Sequence, residues 1–152
     1  MDNAHTPVVG RLEESEPVSF GPLSIYQKLV GGGQVPIWTG VQTCRPGYAA
    51  PLHSHPYMEL ILVLEGEGAF WFGDDADNQI RLKQHDIIAL PPRRPHAFRN
   101  AGEGVLKIMG IHCSPERHVD FVDGRRAGPN GYQVFDAAGQ PMYDANRSAA
   151  GT

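Results

Sequence analysis

Cysteine, basic charge and long apolar runs are all scarce in this 152-residue chain. The two cysteines, Cys44 and Cys113, lie far apart and form no C-x-x-C pair, so they supply neither a cysteine-rich zinc site nor a dithiol redox motif. Each sits in or beside an apolar run and reads as a reduced thiol, with one disulfide between them as the alternative. Lys+Arg 13 against Asp+Glu 17 gives a net charge of -4, which speaks against a nucleic-acid or anionic-membrane surface. No apolar run approaches the roughly 20 residues of a membrane span. Met1 to His5 shows no charged segment leading into an apolar stretch; no signal peptide is expected, and the expected compartment is the cytoplasm. The absence of G-x-S-x-G, P-loop and dinucleotide fingerprints removes serine-hydrolase, nucleotide-binding and Rossmann readings.

Turn residues, by contrast, are plentiful. Gly 18 and Pro 13 make about a fifth of the chain, against roughly 12 % in typical usage, and they cut it into short runs that suit an all-β fold. The length fits one domain. Three regions follow: a polar N-terminal arm (1–20) that frays or packs on a partner, a β-barrel domain (21–122), and a C-terminal tail (123–152) expected to be partly disordered. Strands are expected over 23–30, 35–44, 53–64, 69–72, 79–83, 86–90, 96–100 and 105–113, with a further possible strand at 132–135. Leu60 to Leu64 is apolar at every position, as in a strand covered on both faces by another sheet or another subunit. Short strands with turns between and almost no helix predict a sandwich, jelly roll or barrel.

Four side chains stand out: His53, His55, Glu59 and His96. Side chains on a strand alternate between faces, so if the strand stays regular through Pro56, His53, His55 and Glu59 share one face. His96 comes from another strand. An H-x-H pair alone is weak, but burying three such polar groups is costly unless something pairs them. A divalent transition metal does so: iron, manganese, nickel, copper, cobalt or zinc all accept three imidazoles and a carboxylate.

The spacing around these residues is more specific. Gly47, five residues, His53-x-His55, three residues, Glu59, six residues and Gly66 match the first motif of the cupin family position for position. The second motif is matched at Pro91, His96 and Asn100, while His85 and Arg93 stand where it has glycines. The chain thus resembles a small single-domain cupin over about half its length. The resemblance implies a double-stranded β-helix (jelly-roll barrel), one divalent metal per chain on His53, His55, Glu59 and His96, and a homodimer.

Other candidates are open in their reading. Tyr57 shares the ligands' parity and is a candidate acid/base group, or it packs outside if Pro56 turns the chain. Trp38, Gln42 and Phe98 are candidate pocket walls or plain core. Arg93, with Arg94, precedes His96 and could hold a substrate carboxylate, or is a solvated loop arginine. His112 reaches the pocket only if the last strand runs beside the metal. The functional expectation is a metal-dependent dioxygenase or oxidoreductase acting on a small carbonyl, enol or aromatic acid. Its alternatives are a non-oxidative isomerase, lyase or decarboxylase, and a small-ligand-binding cupin without turnover.

Overall fold

Glycines and prolines end most strands where the sequence suggests, and the chain between them folds into two antiparallel sheets. The computed structural model describes residues 6–144. Its strands are β1 (Val18–Ser19), β2 (Ser24–Lys28), β3 (Trp38–Cys44), β4 (His53–Ser54), β5 (Glu59–Glu65), β6 (Glu67–Phe72), β7 (Ile80–Lys83), β8 (Ile87–Leu90), β9 (His96–Asn100), β10 (Leu106–His112) and β11 (Asp120–Phe121). The larger sheet runs β1-β2-β3-β10-β5-β8 and the smaller β11-β4-β9-β6-β7, a jelly-roll barrel of the double-stranded β-helix kind. Among the described residues no helix is long and apolar enough to cross a membrane.

Alternation along the strands builds the interior. On β5, Glu59, Ile61 and Val63 are buried and the residues between them half-buried; on β10, Leu106, Ile108, Gly110 and His112 are buried. Ile61, Val63, Phe70, Leu90, Phe98, Leu106 and Ile108 meet in one core, each large side chain worth about 1.5–3 kcal/mol of burial. The core fills one end of the barrel and leaves the histidines at the other.

Three features differ from the expectation. The strand predicted over 53–64 is two strands: β4 pairs in the smaller sheet and β5 in the larger. Pro56, which has no N–H to give a ladder, sits in the crossing. Leu60, Leu62 and Leu64 are covered on the inner side only through their neighbours, and their own face is half-open. The chain's ends also do more than the region boundaries suggest. In the arm, β1 pairs with β2, and Gln27 donates to the carbonyls of Leu12 and Ser15. Residues 122–144 fold on themselves through bridges Arg125–Tyr143, Ala127–Gln133 and Phe135–Pro141, and reach the barrel through the Val122 N–H on the Leu52 carbonyl and Tyr132 against Phe20 and Tyr26. The disorder expected at the very end of the tail concerns residues outside those described.

Candidate metal centre

Two sheets supply the polar cluster. His53 on β4 lies directly across from His96 on β9, with ring centroids 4.4 Å apart. His55 follows β4, and Glu59 opens β5 on the opposite wall. One ligand atom from each of His53, His55, Glu59 and His96 lies within 4.8 Å of the other three. The shared-face parity therefore does not explain the convergence. The chain crosses from sheet to sheet between His55 and Glu59, and the two walls of the barrel bring the donors together.

The outer nitrogen of each ring is already committed. Nδ1 of His53 lies 2.7 Å from the carbonyl of Pro51, Nδ1 of His55 lies 2.6 Å from that of His118, and Nδ1 of His96 lies 3.0 Å from that of Arg94. A carbonyl only accepts, so each Nδ1 carries the proton and each Nε2 presents a lone pair inward. His55 Nε2 and His96 Nε2 stand 2.9 and 3.5 Å from Glu59 Oε2. All three atoms are buried without a hydrogen-bond partner. Burial drives His53 well below the usual imidazole range, with His96 and His55 adding to it. Burial also resists ionisation of Glu59, but His112 and His55 outweigh it and hold the carboxyl well below its usual range. Lone pairs facing an anion in a closed interior need a cation between them, and the donor set fits a divalent ion.

His112 completes the arrangement. It pairs with Glu59 across β10 and β5, and its Nε2 lies 3.4 Å from Glu59 Oε1. Its Nδ1 is 2.8 Å from the Tyr57 hydroxyl, which also accepts the His118 N–H. The phenolic proton goes to the His118 carbonyl at 3.1 Å, so neutral His112 donates its Nδ1–H to the hydroxyl oxygen and packs its Nε2 against Glu59 Oε1. Burial lowers the His112 pKa to about 3, so the ring is neutral.

The candidate pocket residues divide. A cavity opens beside the donors, and Gln42 and Phe98 line it. Gln42 is held by hydrogen bonds to Ser24 and Tyr48. Trp38 does not line it. Its indole donates to the Tyr26 hydroxyl at 2.8 Å and borders a separate depression on the far side of that ring. Arg93 does not line it either: its backbone N–H bonds the His55 carbonyl, and its side chain points to solvent. Tyr57 stacks behind His55 and braces His112 instead of facing the cavity. Burial raises its pKa to about 12, which suits a brace and not a proton carrier at neutral pH. Arg117, which the motifs did not single out, does line the cavity. His112 had one sequence signal, its parity with the apolar Leu106 and Ile108; Arg117 had none.

An all-β barrel of two sheets with inward histidines on facing walls is one class of protein, and the family comparison agrees. Residues 40–112 match the family model described as cupin domain, and the chain is a small cupin-domain protein. It is similar to auxin-binding protein 1 of Arabidopsis thaliana, 24 % identical over 121 residues, covering 72 % of this chain and 60 % of that protein. Auxin-binding protein 4 of Zea mays is 28 % identical over 132 residues, with 80 % and 64 % covered. The chain thus spans about three fifths of the length of these relatives. Among solved structures, an oxalate decarboxylase of Bacillus subtilis, studied for its Mn(II) centres, superposes with a TM-score of 0.65 at 18 % identity, over 75 % of this chain and 32 % of that one. That likeness shows the fold.

Proposed function

We propose that this chain holds one divalent transition metal on His53, His55, Glu59 and His96 and works as a metal-dependent small-molecule enzyme, with oxidation of a small carbonyl, enol or aromatic acid as its reaction class. The carrying observation is the set of partnerless buried atoms, His55 Nε2, His96 Nε2 and Glu59 Oε2, aimed at one point beside a cavity. A bound ion would supply Lewis acidity and, if redox-active, electron transfer to dioxygen. The protein's own part is to fix the three imidazole tautomers, keep Glu59 ionised, and enclose the substrate within the walls of Ile61, Phe98, Ile108 and Val119.

The cavity wall favours redox over proton-transfer chemistry. Its tyrosines are poor proton carriers: burial pushes Tyr26 to about 12 and raises Tyr48 further. His112 is tied to Tyr57 and Glu59. No carboxylate other than Glu59 is among the lining residues, so an isomerase would lack a base poised near neutrality. Binding without turnover is the second reading, supported by the relatives named for binding auxin. Both cysteines are free, which suits the reducing cytoplasm we propose as its compartment.

The test is elemental analysis of protein purified without chelator, followed by oxygen uptake with small carbonyl compounds and aromatic acids. About one ion per chain is expected, lost in His55→Ala, together with metal-dependent oxygen consumption. No metal in the wild type even after reloading would overturn the metal site. Full metal with tight ligand binding and no product would leave the second reading.

A further inference from the structure

Arg117 is a buried cation without a counter-ion. It is 9 % exposed and belongs to no ion pair among the described residues, all of whose close acid–base contacts involve other side chains. Its Nη1 donates to the Asn130 carbonyl at 3.0 Å, while its Nε is buried with no partner. The guanidinium is set among three rings, with its carbon 5.3 Å from the centroid of Phe20, 5.1 Å from Tyr26 and 5.5 Å from Tyr132. Ring faces offset part of the desolvation of a cation, but they supply neither a counter-charge nor an acceptor for the Nε–H. The remainder calls for an anion.

Arg117 lines the same cavity as His53, His55 and Glu59, and also borders the neighbouring depression beside Asn130. We infer that Arg117 is the anion-binding residue of this site and that the ligand is a small carboxylate, its carboxyl held by the guanidinium and its body lying toward the Glu59 side of the cavity. A planar fork with free N–H groups matches a carboxylate geometrically. The charge balance agrees: one carboxylate, Glu59, faces the cavity, so any divalent ion there leaves the interior positive. The aromatic cage comes from both ends of the chain, Phe20 from the arm and Tyr132 from the returning tail, so those segments position Arg117.

The inference rests on the cavity being the ligand site proposed above, but not on the metal. The experiment measures dissociation constants of acetate, benzoate and phenylacetate, each against its neutral amide, for the full chain as purified and for R117Q and R117K. At least one acid is expected to bind tenfold or more tighter than its amide, with R117Q bringing the two within about threefold. R117K, which keeps the charge in the cage but not the fork, is expected to lose about tenfold in acid affinity. A merely structural arginine would weaken acid and amide alike, so the acid-to-amide ratio carries the decision. An unchanged ratio in R117K or R117Q, or no preferred acid in the wild type, overturns the inference. Metal content of the same samples separates the two readings. Arg117-dependent acid preference in metal-free protein keeps this inference and removes the metal site; full metal with no acid preference does the reverse.

Discussion

His112 decides how Glu59 sits. Its Nδ1 rests on Tyr57 and its Nε2 packs 3.4 Å from Oε1, so the other carboxylate oxygen faces His55 and His96. Gly110 makes room: a Cβ there would stand 3.1 Å from Glu59 Oε1 and 3.5 Å from His112 Nε2. Partners that orient a ligand are typically worth 10–100-fold in metal affinity. His112→Phe should therefore weaken metal binding by about that factor in chelator competition, with thermal unfolding little changed. Undiminished affinity would mean Glu59 is held by its own packing. At this scale the motif residues were legible because their spacing is local. His112 was legible only as a conditional candidate and Arg117 not at all, because a single histidine or arginine says nothing about what a strand 50 residues away places beside it.

The elements show where a motif glycine is replaced and what that costs. His85 and Arg93 both adopt positive φ, 75° and 61°, at the two places where the cupin motif has glycine. An L-residue there costs about 1–2 kcal/mol, partly offset because glycine would lose about 0.5–1 kcal/mol more entropy on folding. Arg93 contributes its backbone N–H to His55 and no buried side chain. Arg93→Gly should thus raise the unfolding midpoint by about 2–4 °C with metal binding intact. A lower midpoint would show that the exposed side chain stabilises the loop. Strand positions were legible from alternation and turn residues. The break at Pro56 was not, since parity along one strand cannot reveal that the strand changes sheets.

On the whole molecule, the outer face of the larger sheet is the exposed feature. Leu62 lies beside Met109 on β10 and Ile87 on β8, and Leu60 beside Ile111. These side chains are half-buried, and Ile87 is 56 % exposed. We propose that a second copy of the chain covers this strip, since a continuous apolar row across three strands is self-complementary under two-fold symmetry. Sedimentation should give a dimer for the wild type, with Leu62→Glu at least 100-fold weaker in self-association because each partner would bury a charge. A monomeric wild type would remove the proposal.

Local chemistry was written in the sequence: the turn positions, the alternating strands and the all-β class follow from residue type and short-range spacing, and the four candidate donors from the resemblance to the cupin motifs. Tertiary structure decided the rest. It set His53 and His55 on one wall and Glu59 on the other, moved Trp38 and Arg93 off the cavity, and brought Arg117, Phe20 and Tyr132 together. Short-range pattern reports which face of an element is buried. It carries no record of which distant element does the burying, because that choice is settled by packing the whole chain at once.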